Sequence, residues 1–259
     1  MVSIITPVYN CGRYIAETIQ SVQAQTYRDW EMVIVDDCST DDSLQVILTY
    51  SQQDDRIRLF CNERNSGAAI SRNKALREAR GEWIAFLDGD DVWMPEKLER
   101  QLAFMQEHGY TFTYHDYVEM DESSHELGIH VSGRSKVGKL GMYSCCWPGC
   151  LTVMYNRHAI GLVQIADIKK NNDTALWLKV IKKAPCHLLP MTLARYRRRS
   201  QSITPPDVKT KILWHYRLFH EAESMNPLLA AFWTLTNICG NLYKKTFYVK
   251  KYNISENEK

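Results

Sequence analysis

Short β-branched and aromatic runs alternate with helical patterns over the first 115 residues, and this alternation limits the possible folds more than any other feature of the sequence. Alternation of this kind predicts βαβ units and a mostly parallel sheet. Since the second and fourth strands are almost wholly apolar, we expect an α/β fold with helices on both faces of the sheet. The predicted strands are 2–6, 31–35, 57–60, 83–87 and 111–114, and the predicted helices are 14–24, 42–51, 68–79 and 95–107.

Acidic residues directly follow two of the predicted strands. They are Asp36 and Asp37 after the second strand, and Asp88, Asp90 and Asp91 after the fourth. Ligands of open α/β sheets bind beyond the carboxyl ends of the strands, so we expect these side chains to converge on one crevice. Carboxylates crowded in this way repel one another unless a cation offsets the charge, and oxygen ligands favour Mg²⁺ or Mn²⁺. The sequence therefore predicts a site for a metal ion and a diphosphate.

The pattern changes after residue 116. The segment 121–139 is polar and contains glycine, which predicts a long loop that could order over a ligand. A helix is predicted over 173–182, with Pro185 just beyond its end. The last fifty residues are predicted to be helical, basic and aromatic. These changes divide the chain into a domain at 1–205 and a C-terminal helical appendage at 206–259.

The composition excludes several classes of protein. The 32 basic and 30 acidic residues leave a formal charge of +2, unlike a nucleic-acid-binding polycation. With 45% hydrophobic residues the chain is not disordered. We expect no secretory signal, because residues 1–7 have no basic n-region and no small-residue cleavage site. We expect no spanning helix, because polar residues interrupt the apolar segment 228–243. The sequence thus predicts a cytoplasmic protein with reduced thiols. Cys145, Cys146, Cys150 and His158 could supply zinc ligands, although their spacing differs from that of known zinc fingers.

Four motifs, in order, resemble those of the family 2 glycosyltransferases with the GT-A fold, of the bacterial surface-polysaccharide type. The motifs are Pro7-Val8-Tyr9-Asn10, Val33-Ile34-Val35-Asp36-Asp37-Cys38-Ser39-Thr40-Asp41, Phe86-Leu87-Asp88-Gly89-Asp90-Asp91 and Met94-Pro95. The resemblance runs from residue 2 to about residue 200, and it departs from the family at Cys38, where glycine is more common. It implies a Rossmann-like GT-A fold and inverting transfer of a sugar from a nucleotide donor, with UDP expected.

The resemblance also implies roles for residues in the first half of the chain, which would be the nucleotide-binding half at 1–115. Pro7 and Tyr9 would lie along the nucleotide, and Asp37 would contact the base. Arg72 would lie near the donor. Asp88 would face the ribose or the metal, Asp90 would hold the metal, and the implied cofactor is Mn²⁺ or Mg²⁺.

Two further segments resemble the family in the second, acceptor-binding and catalytic half at 116–205. In Asn172-Asp173-Thr174-Ala175-Leu176-Trp177-Leu178-Lys179, Asp173 matches the general base, while Asn172 replaces the more common Glu. One base is enough for an inverting displacement. The alternative is that Asp173 only caps a helix. The basic run 195–202 resembles a segment that closes over the diphosphate through Arg197 or Arg198; the alternative is a solvated basic face.

These expectations combine into one functional prediction. The chain would transfer a sugar from a nucleotide donor to a saccharide acceptor, expected to be linked to polyprenyl diphosphate, in the synthesis of O-antigen, capsule or exopolysaccharide. The alternatives are a sugar nucleotidyltransferase and a nucleotide-sugar-binding protein without catalysis. The basic and aromatic segments 208–219 and 243–252 either contact the inner face of the cytoplasmic membrane or pack on the domain, and the sequence does not distinguish the two.

Overall fold

The computed structural model describes residues 1–166, 168, 170–200 and 207–254. One mixed sheet of eleven strands organises this part of the chain. The strands are β1 (Val2–Val8), β2 (Trp30–Asp36), β3 (Ile57–Cys61), β4 (Trp83–Phe86), β5 (Val92–Trp93), β6 (Phe112–Met120), β7 (Glu126–Val131), β8 (Lys136–Val137), β9 (Met154–Asn156), β10 (Cys186–Arg197) and β11 (Val249–Lys251). The helices are α1 (Ile15–Gln23), α2 (Ser43–Ser51), α3 (Ala68–Glu78), α4 (Lys97–His108), α5 (Lys139–Ser144), α6 (Arg157–Ile160), α7 (Asn172–Val180), α8 (Val208–Arg217) and α9 (Pro227–Phe247).

The N-terminal half of the sheet is parallel, in the order β3-β2-β1-β4. Successive side chains of β1 point to opposite faces, so Ile5 packs in one apolar core while Ile4 packs in a second. Helix α3 covers the first core, and α1, α2 and α4 cover the second. The prediction of a parallel sheet with helices on both faces is confirmed, and it follows from strands that are apolar on both sides.

Antiparallel strands extend the sheet beyond β4. Strand β9 pairs with β4 and β6, and β6 pairs with β7. The long strand β10 runs parallel to β6 and also pairs antiparallel with the short strands β5 and β8. The predicted helix 173–182 corresponds to α7. This second half of the sheet brings α7 and the end of β10 to the same edge as the carboxyl ends of β1, β2 and β4.

The predicted long loop at 121–139 was wrong. The segment contains a tight turn at 121–125, strand β7, which returns along β6, strand β8 and the first residue of α5. In the turn, Asp121 N–H donates to the His125 carbonyl at 2.9 Å, and Ser124 has a φ of 67°. Backbone pairing with β6 stabilises this half-exposed strand. Leu127, Ile129 and Val131 alternate with Glu126, Gly128 and His130, so the strand pattern is present in the sequence, but it is short and lies within a polar segment.

The C-terminal residues are helical in α8 and α9, which a π-helical turn at 218–222 connects, and a short strand follows α9. Strand β11 pairs antiparallel with β7, with Val249 opposite Val131. The predicted C-terminal helical appendage is confirmed in α8 and α9, and β11 is a strand that was not predicted. The predicted boundary at 205/206 and the last two residues of the basic run 195–202 lie outside the described residues. No described helix has the length and apolar character needed to cross a membrane.

Candidate functional site

A cleft of about 710 Å³ opens beyond the carboxyl ends of β1, β2 and β4. Loops after these strands form one wall, and α7, the end of β10 and α8 form the other. Eight of the nine residues predicted to form the site line this cleft. They are Pro7, Tyr9, Asp37, Arg72, Asp88, Asp90, Asp173 and Arg197.

Asp37 lies in the wall formed by β2 and is almost fully buried. Its carboxylate accepts hydrogen bonds from the backbone N–H groups of Ser66 and Gly67, at 2.9 and 2.7 Å, and from the Asn62 side chain at 2.7 Å. A carboxylate has about four lone-pair positions, so one remains to accept a donor from a ligand. The neighbouring Cys38 has a φ of 59°, in the region that favours glycine, which accounts for the family's preference there.

Arg72 joins the two walls of the cleft. Helix α3 carries it, and its guanidinium donates to Asp88 Oδ1 at 2.5 Å and to the Asn172 side chain at the start of α7. Burial by itself lowers the pKa of Arg72, but the negative charge of Asp88 outweighs this and raises it. The side chain is therefore a permanent cation that fixes Asp88 relative to α7. A Glu at position 172 would add a second carboxylate to Arg72, whereas Asn172 contributes a neutral acceptor.

Asp90 and Asp91 carry more negative charge than the surrounding side chains neutralise. Burial and the charge of Asp88 raise the pKa of Asp90, and Arg199, 3.3 Å away, offsets only part of this. Burial and the charges of Asp90 and Asp88 raise the pKa of Asp91 well above its usual range. This excess of negative charge is the feature expected of a cation site.

The carboxylates of Asp88 and Asp90 fit a hard divalent cation. Both face the cleft, and oxygen ligands of this type suit Mg²⁺ or Mn²⁺. Among the described residues no three His, Cys, Asp or Glu side chains are grouped to hold a metal by themselves. That agrees with ions that use one or two carboxylates together with substrate phosphates. The same finding leaves the zinc interpretation of the cysteine cluster without support.

Asp173 lies in the first turn of α7 on the opposite wall. Its Oδ1 accepts the backbone N–H of Thr174 at 2.7 Å. Asn171, which precedes the helix, has a φ of 55° and also lines the cleft. The buried aromatic and aliphatic side chains of α7, with Trp177 fully buried against Phe86, hold this helix end in place. The cleft thus has carboxylates on two facing walls.

The three consecutive arginines at the end of β10 have different surroundings. The guanidinium of Arg197 is buried, donating to Glu17, Ser124 and main-chain carbonyls. Arg198 pairs with Glu119 and does not line the cleft. Arg199 faces the cleft, pairs with Asp90 at 3.3 Å and lies over the Tyr14 ring. Of the two arginines predicted to contact the diphosphate, Arg197 already donates hydrogen bonds within the protein and Arg198 lies outside the cleft.

Comparison with known proteins identifies the family. The model of glycosyl transferase family 2 matches residues 3–142. TuaG of Bacillus subtilis, a glycosyltransferase assigned to teichuronic acid biosynthesis, is 37% identical over 95% of this chain and 97% of its own length. The chain belongs to glycosyltransferase family 2.

A second relative has a more specific name. WfgD of Escherichia coli, named as a UDP-Glc:α-D-GlcNAc-diphosphoundecaprenol β-1,3-glucosyltransferase, is 34% identical over 96% of this chain and 97% of its own length. Among solved structures, residues 1–349 of S. aureus TarS with UDP-GlcNAc have the same fold, with a TM-score of 0.69 at 22% identity over 95% of this chain and 73% of theirs. The GT-A fold predicted from the resemblance is thereby confirmed.

Three residues of α8 line the cleft of this family 2 glycosyltransferase but were not predicted to do so from its sequence. Lys211, Trp214 and His215 of α8 line the cleft beside Asp173. Burial lowers the pKa of His215, and the nearby charge of Asp173 opposes this. The basic and aromatic pattern of 208–219 was a signal for interaction, but one sequence does not show that this helix returns to the cleft. Arg199 was missed for a similar reason, because three adjacent arginines look alike in sequence.

Proposed function

We propose that the protein is an inverting, metal-dependent transferase that moves a hexosyl or N-acetylhexosaminyl group from a UDP-sugar to a saccharide acceptor linked to polyprenyl diphosphate. The observation that carries the proposal is the single cleft with Asp37, Asp88 and Asp90 on one wall and Asp173 on the other. Asp37 would bind the nucleotide base, Asp88 and Asp90 would serve the diphosphate, and Asp173 would serve the acceptor. The expected pathway is synthesis of a surface polysaccharide.

The donor half of the cleft is formed by the loops after β1, β2 and β4. Asp37 keeps one acceptor position for an N–H of the base, while Pro7 and Tyr9 supply a surface along the nucleotide. Tyr9 is 46% exposed, so its ring is open to a ligand. This arrangement favours uracil, whose N3–H is a donor facing a carboxylate acceptor.

Asp88 and Asp90 would hold Mn²⁺ or Mg²⁺ next to the donor diphosphate. When bound, such an ion supplies positive charge that stabilises the charge developing on the departing diphosphate. Arg72 orients Asp88 through its hydrogen bond, and Arg199 adds a cation at the same edge of the cleft. These contacts would hold Asp88 and Asp90 in place beside the leaving diphosphate.

Asp173 would take the proton from the acceptor hydroxyl as that oxygen attacks the anomeric carbon. Attack from the side opposite the leaving diphosphate inverts the configuration and needs one base. Thr174 N–H holds one oxygen of the Asp173 carboxylate, which fixes its orientation. Asp173 lines the same cleft as Asp88 and Asp90, which supports this role. With Asn172 in place of the more common Glu, the site lacks a second carboxylate, which the reaction does not require.

The names of the relatives support a lipid-linked acceptor. WfgD and WfaP, the latter 36% identical over 71% of this chain, are both named for acceptors that end in diphosphoundecaprenol. Lys211 and Trp214 offer a cation and an aromatic face at the mouth of the cleft, which suit a diphosphate and a sugar ring. We therefore propose a cytoplasmic protein that works at the inner face of the cytoplasmic membrane.

A UDP-release assay tests the proposal. Wild type and the Asp90→Ala, Asp173→Asn and Asp55→Asn variants are incubated with a panel of UDP-sugars, beginning with UDP-glucose, in Mn²⁺, Mg²⁺ or EDTA. The acceptor is a diphosphate-linked N-acetylglucosamine with a short lipid tail, and donor binding is measured in parallel. Asp55 is an exposed carboxylate outside the cleft and serves as the matched control.

We expect release with one donor that EDTA abolishes. Asp173→Asn should lower kcat by about 10²- to 10⁴-fold while retaining donor binding, because it removes only the base. Asp90→Ala should lose metal-dependent release, and Asp55→Asn should match wild type. Donor binding without release in wild type would support the non-catalytic alternative. Wild-type activity in Asp173→Asn would disprove the assigned base.

A further inference from the structure

Helix α9 buries the polar side chains of Thr234 and Asn237 beside Ala230, while most of its large apolar side chains are exposed, unlike those of an ordinary surface helix. On its inner side, Asn237 is fully buried and donates to the Tyr143 carbonyl at 3.0 Å. Lys244 donates to the carbonyls of Cys146 and Trp147, at 3.1 and 2.6 Å. The polar side chains Asn237 and Lys244 are thus hydrogen-bonded within the protein.

The outer side of α9 is a continuous apolar stripe, which we call the α9 ridge. It consists of Leu228, Phe232, Leu235, Cys239 and Leu242. Its four large side chains are exposed by 86%, 58%, 65% and 61%, in chain order. Their spacing of four, three, four and three residues keeps them within one narrow stripe at about 100° per residue. An exposed apolar stripe of this length marks an interaction surface.

The rotation of α9 about its axis is fixed, so the α9 ridge cannot turn inward. Gly240 packs so closely on α5 that an added Cβ would lie 1.9 Å from the Ser144 carbonyl oxygen. Asn241, on the same side as Asn237, donates to the Asn237 side chain at 2.7 Å. Rotation would bury leucines against carbonyl groups and leave these amides without partners.

The charges around the α9 ridge indicate what covers it. No charged residue occurs from 226 to 243, and neither α9 nor β11 contains an acidic residue. Exposed lysines follow at Lys245, Lys250 and Lys251, and the adjacent α8 carries exposed Lys209 and Lys211. A second copy docked through the same surface would bring no acidic side chain of α9 or β11 to these lysines. An anionic bilayer offers both apolar chains and negative headgroups.

The position of the α9 ridge relative to the cleft supports the same partner. Helix α8 packs on α9 and contributes Lys211, Trp214 and His215 to the cleft. A second apolar depression of about 230 Å³ lies beside α9, lined by Leu140, Met225 and Trp233 among others, and Leu140 is 71% exposed. The apolar surface therefore includes α5 as well as α9, and α9 packs on α8, the helix that lines the cleft.

We propose that the α9 ridge docks on an anionic lipid bilayer, with its leucines and Phe232 inserted at the level of the acyl chains and Lys245, Lys250 and Lys251 against the phosphate headgroups. The helix lies in the plane of the interface. The inference rests on the proposed function in one respect, because a lipid-linked acceptor makes this position useful. Docking through α9 would hold the cleft at the membrane surface.

Vesicle flotation tests the proposal. The wild-type protein is mixed with vesicles of phosphatidylglycerol and phosphatidylethanolamine, or of phosphatidylcholine alone. The variants are Phe232→Ser with Leu235→Ser, and Lys245→Gln with Lys250→Gln. The matched control is Leu48→Ser, an exposed leucine of α2, which packs on β3 at the opposite edge of the sheet from β11. Solution mass is measured for each protein without vesicles.

We expect wild type and Leu48→Ser to float with anionic vesicles, and each double variant to lose partition by about tenfold or more. Equal flotation of the ridge variant, or equal wild-type binding to phosphatidylcholine, would overturn the proposal. So would a wild-type dimer that ignores vesicles and that the ridge variant makes monomeric. UDP release to a water-soluble acceptor is measured alongside. It should be unchanged in the ridge variant, so loss of docking is distinguishable from failure of the proposed activity.

Discussion

Individual residues in the cleft differ in ways that their types do not predict. Arg197 is the last residue of β10, and Arg197 and Arg199 both line the cleft, whereas Arg198 does not. Arg197 donates to Glu17, Ser124 and main-chain carbonyls and is 2% exposed. The ion pair of Arg199 with Asp90, at 3.3 Å, is longer than that of Arg197 with Glu17. Arg199 is therefore the cation more available to a ligand. Burial and existing contacts therefore decide which arginine is available to a diphosphate.

Arg199→Gln tests this assignment against the adjacent residue. We expect kcat/KM for UDP release to fall by about 10²-fold, because the variant removes a cation that faces the developing charge of the leaving group. Arg198→Gln removes a 55% exposed arginine outside the cleft and should change kcat/KM by about twofold at most. Both are measured well below the unfolding temperature of each variant. Equal losses in the two variants would contradict the prediction.

Among the secondary-structure elements, α9 depends most on close packing. Gly240 lets the backbone of α9 approach that of α5, since the nearest atom to a Cβ at this position would be a main-chain carbonyl oxygen rather than a flexible side chain. Such a contact cannot be relieved by a rotamer change, so the whole helix must shift. The buried hydrogen bonds of Asn237 and Lys244 oppose that shift.

Gly240→Ala should therefore destabilise the fold by about 1–3 kcal/mol, as overpacking does in a well-packed interface. The matched control is Gly138→Ala at the start of α5, where a Cβ would meet no atom within 4 Å and φ is −94°. Urea unfolding followed by tryptophan fluorescence measures both. A Gly240→Ala protein as stable as Gly138→Ala would show that α9 is less tightly docked than the structure indicates.

For the whole molecule, a buried histidine in the sheet links stability to pH. Burial, with the neighbouring Lys97, lowers the pKa of His115 from 6.5 to about 3. The unfolded chain therefore binds a proton at His115 between pH 6.5 and about 3 that the folded chain does not bind. Stability contributed by this residue is complete above pH 6.5 and falls as the pH decreases through that window.

We expect acidification from pH 7.5 to pH 5.5 to cost wild type about 1.4 kcal/mol through His115. His115→Gln lacks the titrating ring and should show a dependence on pH that is weaker by this amount. The measurement is the free energy of unfolding in urea at several pH values. The other histidines titrate equally in both proteins and cancel. Identical slopes for the two proteins would refute the assignment.

The sequence alone determined the parallel half of the sheet and the cleft carboxylates. Strands β2 and β4 are apolar on both sides, which predicts a sheet with helices on both faces. Asp37, Asp88 and Asp90 follow strands whose carboxyl ends share one edge of that sheet. These features are local in the chain, so one sequence contains them. The motif at Asp173 likewise lies at a helix start on the cleft wall.

Only the tertiary structure decided the pairing of β10 with β6, the division of roles among the arginines, and the return of α8 to the cleft. Strands β6 and β10 pair although they lie far apart in the chain, and such a pairing leaves no mark on a single sequence. The apolar residues of α9 were visible in the sequence as a helix. That they face outward depends on Asn237, Gly240 and Lys244 docking inward, which is a property of the packed molecule.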